Sequence, residues 1–365
     1  MPPPMNFTPV TEHIQNWIDK GYYPNGASIL IARNGRTIYS KDFGGHTHET
    51  VEYIASAGKW LAAAAILAVV DEGDLTLDDS ASKWIPEFGP EKGSATIRQM
   101  LSHTSGYLPY QPEGNPPDQY QTLEEAVAQI VPLELEATPG TRWNYGGLAM
   151  QIAGRMAEIA TGKPWETIFQ EQLARPLGMT ETHFTPVDPG IGHAPMLGGG
   201  ARSTLHDYTC FLSMLYNEGI FDGHRVLSEK SIEEMLADQV KGAELKPDTF
   251  VTKMRQSSHS GVYGLGVWRE LEHASGRALL LSSPSWAGAY PWLDKKRHLY
   301  GVFIAHVGGE SASQDHFNAM EASAALPILV GEVIDASQKA RPGSNSLFPA
   351  SSNTSDAVNG SSATT

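Results

Sequence analysis

The chain has 365 residues, of which 41% are hydrophobic and 18% are charged, a balance typical of a soluble folded enzyme and not of a disordered chain. The net charge of −15 argues against nucleic acids and anionic membrane surfaces as partners, because both bind basic patches. A single cysteine, Cys210, excludes an internal disulfide and a cysteine-based zinc cluster.

The sequence predicts neither a membrane span nor a secretion signal. The longest apolar run, 60–70, has about half the length that a membrane helix needs, and it is typical of a buried core helix. The first residues, Met-Pro-Pro-Pro-Met-Asn, lack the basic start and apolar core of a signal peptide. We therefore expect a cytoplasmic location.

Hydrophobic patterning predicts strands near both ends of the chain and helices between them. Segments 27–32 and 36–43 flank Asn34-Gly35, the strongest short hairpin signal. The alanine-rich segment 56–72 is predicted as a buried helix. Further helices are predicted at 9–21, 123–131, 145–161, 204–218, 228–236 and 316–337. Further strands are predicted at 262–269, 278–283, 287–293 and 299–306.

This order predicts an α/β fold of the α+β type, in which an antiparallel sheet is flanked by helices and carries an inserted all-helical subdomain. Residues 1–75 and 255–340 would form a discontinuous α/β domain, and residues 76–254 a mainly helical domain. The polar segment 341–365 is predicted to be a disordered tail. A cleft between the two domains would be the expected place for a ligand.

Ser56 and Lys59 form a Ser-x-x-Lys sequence at the start of the predicted buried helix. Positions i and i+3 share a helix face, so the hydroxyl and the amine can meet. A serine nucleophile needs a base, and a lysine can be that base when burial lowers its pKa. The helix N-terminus also offers the backbone N–H groups that an oxyanion hole requires. From the residues alone, Ser56 is either a nucleophile or a helix cap.

A second Ser-x-x-Lys sequence, from Ser80 to Lys83, shows that the pattern alone is not specific. Pro86 follows it and stops a helix, so Ser80 is interpreted as a solvated cap or turn residue. Ser56, in contrast, opens the most apolar helix of the chain.

Longer stretches carry a resemblance to a known family. They are Ser56-Ala-Gly-Lys59, TIRQMLSHTSG at 96–106, PGTRWNY at 139–145, PLGM at 176–179 and GGARST at 199–204 with Asp207. Over about residues 10–335 the chain resembles the serine β-lactamase and penicillin-binding-protein superfamily, in particular its class C β-lactamase-like branch. The resemblance implies a β-lactamase/transpeptidase-like fold.

The resemblance also implies roles for individual residues. Ser56 would be the acylated nucleophile, Lys59 its base partner, and Tyr145 the tyrosine that relays a proton to the leaving group. The third family motif corresponds to Trp286-Ala-Gly288 on a predicted strand. The backbone N–H groups of Ser56 and Ala289 would form the oxyanion hole. No cofactor and no metal is implied.

The departures from the lactamase pattern are informative. Trp286 and Ala287 replace the cationic and hydroxyl side chains that lactamases use to hold the substrate carboxylate, and Gly147 replaces the asparagine that grips the acylamino group. These changes favour neutral or apolar acyl groups and resemble the family VIII carboxylesterases and related acyltransferases. The residues expected to bind substrate are Trp286, Gly288, Tyr107 and Tyr110, although simple loop packing explains the two tyrosines equally well.

The predicted function is therefore a serine hydrolase that cleaves small-molecule carboxylic esters through an acyl-enzyme on Ser56. A β-lactamase, a D-amino-acid peptidase or amidase, and an acyltransferase remain alternatives on the same fold. A non-catalytic sensor is less well supported, because all three catalytic side chains are present.

Two other histidine-containing segments are interpreted as structural. His103 and Ser105 would lie in a turn and not form a Ser–His catalytic pair. His46 and His48 have the alternating spacing of a strand face that could hold a metal, but no carboxylate partner is evident in the sequence.

Overall fold

A computed structural model describes residues 5–112, 122–184, 194–247, 249–256, 259 and 261–339. In chain order its strands are β1 (Ala27–Arg33), β2 (Arg36–Phe43), β3 (Glu52–Tyr53), β4 (Arg202–Ser203), β5 (Ile220–Phe221), β6 (His224–Arg225), β7 (Trp268–Glu272), β8 (Ala278–Ser282), β9 (Tyr290–Asp294) and β10 (Leu299–Ala305). Six of them form one antiparallel sheet in the order β2-β1-β10-β9-β8-β7. The predicted fold class is confirmed.

The sheet joins the two ends of the chain, as the sequence predicts. β1 and β2 form the expected hairpin, and Asn34 and Gly35 both have positive φ angles, of 51° and 71°. On its other side β1 pairs with β10 along its whole length. Strands that are distant in sequence therefore form the centre of one sheet.

Helices pack on both faces of this sheet. In chain order they are α1 (Thr8–Asp19), α2 (Gly58–Glu72), α3 (Ala81–Trp84), α4 (Gly89–Lys92), α5 (Ile97–Leu101), α6 (Leu123–Ala128), α7 (Leu148–Thr161), α8 (Trp165–Phe169), α9 (Leu205–Tyr216), α10 (Glu229–Leu236), α11 (Phe250–Arg255), α12 (Gly309–Gln314), α13 (Ala319–Ser323) and α14 (Leu326–Lys339). None of the helices in the described part of the chain could span a membrane. The cytoplasmic location stays a prediction.

β10 shows how the sheet separates two hydrophobic cores. Leu299 and Phe303 face the core that contains α1 and α14, whereas Val302 and Ile304 face the core that contains α2 and α9. This alternation follows from the two-residue period of a strand whose two faces are both covered.

Helix α9 falls inside the stretch 76–254 that the sequence assigns to a helical domain, yet it packs on β1, β9 and β10. The helices α3 to α8 precede it and supply the inserted helical layer. The domain boundaries stay a prediction, and the tail 341–365 lies outside the described residues.

The strand predicted at 262–269 is wrong over most of its length, because β7 begins only at Trp268. Gly266 has a φ angle of 71°, which interrupts an extended strand. A Cβ atom on Gly266 would lie 2.5 Å from the Lys59 carbonyl oxygen and 2.7 Å from the Ala63 Cβ atom. The segment leaves the sheet to pack its backbone against α2.

The single helix predicted at 316–337 is also wrong, because the structure forms α13 and α14 there. Pro327 is the second residue of α14. Proline has no backbone N–H to donate and is favoured in the first turn of a helix, so it starts a new helix at this position.

The buried helix α2 brings the Ser-x-x-Lys sequence to the centre of the molecule. It is apolar on every side, and it ends at Gly73, whose φ angle is 91°. Gly58, its first residue, packs so closely on Ala201 that a Cβ atom would lie 2.6 Å from the Ala201 Cβ atom. Glycine therefore lets the start of the helix approach the segment before β4.

We predict that Gly58→Ala lowers the free energy of unfolding by about 1–3 kcal/mol, because overpacking a rigid core forces its neighbours apart. Urea denaturation measures this change. Ala201→Gly in the same chain should restore part of the loss by removing the clashing methyl group. Two results would contradict this packing account. One is a Gly58→Ala variant as stable as wild type. The other is a double variant whose loss of unfolding free energy equals the sum of the two single-variant losses.

Candidate active site

Ser56 lies in a short turn, Ala55–Ala57, that joins β3 to α2. Ala55 has a φ angle of 44°, a conformation that residues other than glycine rarely adopt. The turn is held from two sides: the Ser283 hydroxyl donates to the Ser56 carbonyl at 3.2 Å, and the Tyr208 hydroxyl donates to the Ala57 carbonyl at 2.7 Å. The Ser56 side chain caps neither this turn nor α2, so the helix-cap interpretation is not supported.

Lys59 points its amine at Ser56. Its Nζ atom donates to the Ser56 Oγ atom at 3.1 Å and to the Gly198 carbonyl oxygen. Only 2% of Lys59 is exposed, and burial lowers the pKa of its amine from 10.5 to about 7. A substantial share of the amine is therefore neutral near physiological pH, as a general base requires.

Tyr145 completes the group that the resemblance implies. The Lys59 Nζ atom lies 4.6 Å from the centre of the Tyr145 ring. Burial raises the pKa of the Tyr145 phenol, and the nearby Ser56 hydroxyl partly opposes this rise. The structure thus brings the side chains of Ser56, Lys59 and Tyr145 together, and it keeps the phenol protonated at neutral pH.

The third motif lies in a turn before β9, not on a strand as predicted. Gly288 has a φ angle of 130°, and a Cβ atom there would lie 2.5 Å from the Ala305 carbonyl oxygen. The turn is fixed to the end of β10, since the Val307 N–H donates to the Ala287 carbonyl at 2.7 Å. Within the described part of the chain, the Ala289 N–H has no hydrogen-bond acceptor and stays available to a ligand.

A cavity of about 240 Å³ opens beside Ser56. Its walls are mostly apolar or glycine residues, and the side chains of Tyr110 and Trp286 are 61% and 57% exposed at its edge. The lining residues are Tyr53, Ser56, Lys59, Tyr110, Gln111, Ala126, Ile130, Gly147, Leu148, Gln151, Met196, Gly198, Gly199 and Trp286. Such a cavity fits a small acyl group better than a large one.

Tyr107, predicted either to bind substrate or to serve loop packing, does not line this cavity, and its contacts favour packing. It is only 4% exposed, its hydroxyl donates to the Lys92 carbonyl at 2.7 Å, and its ring packs on Phe88. Its buried, hydrogen-bonded position makes it a packing residue of the helical layer. Tyr110, three residues later, does reach the cavity.

Several cavity-lining residues were missed in the sequence, and Tyr53 and Gly198 are two of them. Tyr53, three residues before the nucleophile, lines the cavity and lies 6.0 Å from Trp286 between ring centres. Gly198 supplies the carbonyl that binds Lys59 and approaches Gly147 so closely that a Cβ atom on Gly198 would lie 2.7 Å from the Gly147 Cα atom. The run of three glycines, 198–200, is the sequence signal of such a close backbone approach.

The remaining candidates are held by other contacts. Lys83, whose side chain is half exposed, pairs with the buried Asp79 at 2.8 Å. The His46 Nδ1 atom lies 2.6 Å from the Ser28 hydroxyl, and the His48 Nδ1 atom lies 2.8 Å from Asp42. Among the described residues no three histidine, cysteine, aspartate or glutamate side chains are grouped as a metal site.

We predict that Lys59→Met raises the melting temperature by roughly 2 °C or more at pH 7. In the unfolded chain the amine keeps its proton up to its ordinary pKa of 10.5, whereas the folded protein binds the proton only below about pH 7. Below pH 7 the folded state therefore carries the full free-energy cost of the buried charged amine, and this cost falls as the pH rises towards 10.5. Calorimetry across this range should show that the gain in melting temperature becomes smaller as the pH rises.

The matched control is Lys83→Met, which removes a half-exposed lysine and should give no such gain. A Lys59→Met variant that melts below wild type at every pH would contradict the lowered pKa.

Comparisons with known proteins identify the family and the fold. The family described as Beta-lactamase matches residues 14–324. The solved structure of a putative beta-lactamase from Bacteroides dorei DSM 17855 is 48% identical, with a TM-score of 0.86 over 91% of this chain and 99% of that one. EstCE1, described as a hydrolase with promiscuous acyltransferase activity, shares the fold with 21% identity and a TM-score of 0.69, over 89% of this chain and 97% of that one.

Among curated proteins, Esterase EstB from Burkholderia gladioli is 30% identical over 189 residues, which are 45% of this chain and 48% of EstB. The match thus spans about half the length of EstB. Since the family match covers most of the chain, the protein belongs to the beta-lactamase family.

Proposed function

We propose that the protein is a carboxylesterase that cleaves small-molecule esters of small or apolar acyl groups through an acyl-enzyme on Ser56. One observation carries this proposal: the buried Lys59 amine, with a pKa of about 7, lies 3.1 Å from the Ser56 hydroxyl beside a mostly apolar cavity. A serine with such a partner can be activated at neutral pH.

In the proposed reaction the neutral Lys59 amine takes the Ser56 proton while the Oγ atom attacks the ester carbonyl. The N–H groups of Ser56 and Ala289 stabilise the negative oxygen of the tetrahedral intermediate. Tyr145 donates its proton to the leaving alcohol and regains one from the Lys59 ammonium group. Water then attacks the acyl-enzyme, and its proton passes through the same groups as the acid leaves and Ser56 is restored.

The cavity supports esters over lactams. Apart from Lys59, no described residue of its wall carries a cationic side chain that could bind a carboxylate. At Gly147 a Cβ atom would lie 3.8 Å from the Gly198 Cα atom, an ordinary van der Waals distance, and glycine offers no side-chain amide at this position. A simple ester carries neither a carboxylate nor an acylamino group, so its hydrolysis needs neither side chain.

The comparisons support both ester and lactam hydrolysis as candidate functions. EstB carries the name esterase, and EstCE1 is described as a hydrolase that also transfers acyl groups. The relative from Bacteroides dorei is described as a putative beta-lactamase at 48% identity, so lactam hydrolysis is the second candidate function.

We predict that the purified protein hydrolyses p-nitrophenyl acetate and butyrate faster than a chromogenic cephalosporin. Ser56→Ala should lose activity on every substrate by at least about 10³-fold, because it removes the nucleophile. Ser80→Ala, in the second Ser-x-x-Lys sequence, is the matched control and should keep wild-type rates. Faster turnover of the cephalosporin would favour the second candidate, and ester turnover that survives in Ser56→Ala would refute the proposal.

We predict that Trp286→Ala raises KM for p-nitrophenyl butyrate by about tenfold with little change in kcat, because the exposed indole supplies apolar contact that is equal in ground and transition states. Steady-state kinetics measure both constants. Ile328→Ala removes an exposed apolar side chain elsewhere and should change neither. A selective loss of kcat with unchanged KM would assign Trp286 a different role.

A further inference from the structure

His103 lies against Tyr145, although the proposed chemistry does not use it. It is 4% exposed, and its ring centre lies 4.7 Å from that of Tyr145 and 4.8 Å from that of Tyr263. Its Nε2 atom lies 3.2 Å from the Tyr263 hydroxyl. This polar contact is enclosed by aromatic rings, including those of Trp143 and Trp268.

The backbone of His103 also contacts the Tyr145 segment. Its carbonyl accepts a hydrogen bond from the Asn144 N–H at 2.8 Å, directly before Tyr145. The φ angle of His103 is 62°, a left-handed conformation that strains a residue other than glycine and that asparagine and histidine tolerate better than most. Such strain persists only where the surrounding contacts fix the residue.

The electrostatic surroundings keep His103 neutral. Burial and the positive charge of Lys59 lower the pKa of its imidazole well below the ordinary value. Burial raises the pKa of the Tyr263 phenol, and the neighbouring phenols of Tyr145, Tyr110 and Tyr208 add to that rise. Both groups therefore keep one charge state near neutral pH, which suits a fixed hydrogen bond and not a proton carrier.

We propose that His103, through its hydrogen bond to Tyr263 and its strained backbone, is a positioning residue that holds the Tyr145 phenol in place for proton transfer to the leaving group. This inference rests on the proposed esterase function and on the relay role of Tyr145. A phenylalanine at position 103 would fill the same space as the histidine, but it would leave the Tyr263 hydroxyl without this hydrogen-bond partner.

The test compares two butyrate esters that differ only in the leaving group. p-Nitrophenolate leaves readily without a proton, whereas the ethoxide of ethyl butyrate needs a general acid. Tyr263→Phe removes one hydroxyl and keeps the packing, and His103→Asn keeps a residue that tolerates the left-handed backbone. We compare kcat/KM, because it reports the acylation step, in which the two leaving groups differ. We expect both variants to lose about tenfold in kcat/KM on ethyl butyrate, with less than about threefold loss in kcat/KM on the p-nitrophenyl ester.

Tyr39→Phe is the matched control, because it removes a hydroxyl that bonds to Thr11 at 2.7 Å away from the site. It should change neither ester rate. Rates are normalised to the fraction of Ser56 labelled by a fluorophosphonate, so partial unfolding does not mimic the effect. Equal losses on both esters, or none in Tyr263→Phe, overturn the positioning role while leaving the proposed function intact. A wild-type protein that cleaves neither ester overturns the proposed function itself.

Discussion

The site depends on burying a lysine amine at the start of an apolar helix, where no carboxylate among the described residues pairs with it. Lys59 is the second residue of α2, and its Nζ atom is satisfied by the Ser56 hydroxyl and the Gly198 carbonyl. Neither acceptor carries a charge, so burial is free to lower the pKa of the amine to about 7. An aspartate carboxylate in place of one of these acceptors would keep the Lys59 amine protonated and unable to act as a base.

Close backbone contacts position this amine. The Gly58 contact with Ala201 and the Gly266 contact with the Lys59 carbonyl hold the start of α2 between β4 and the segment before β7. Glycine at these points removes side chains that would push the helix outward. The same lack of a side chain at Gly147 leaves that part of the cavity without a polar amide, which links the packing of the site to the acyl groups that we propose it favours.

The sequence predicted those features that depend on local spacing. The hairpin at Asn34-Gly35 and the pairing of Ser56 with Lys59 need only turn chemistry and helical period, and both are present. Tyr145 and the motif at 286–288 came from family resemblance, because no local pattern links them to Ser56. Spacing could not show the departure of Gly266 from the sheet, the burial of Tyr107 or the contact of His103 with Tyr145, since each depends on a distant partner.

The charge state of Lys59 tests the account most directly. With lysine labelled with ¹³C at Cε, the resonance of this residue can be assigned by its absence in Lys59→Met and followed as the pH changes. The account predicts a titration midpoint at about 7, against the ordinary value of 10.5. A midpoint near 10.5 would show that the amine stays charged beside Ser56, and the proposed activation of the serine would then be contradicted.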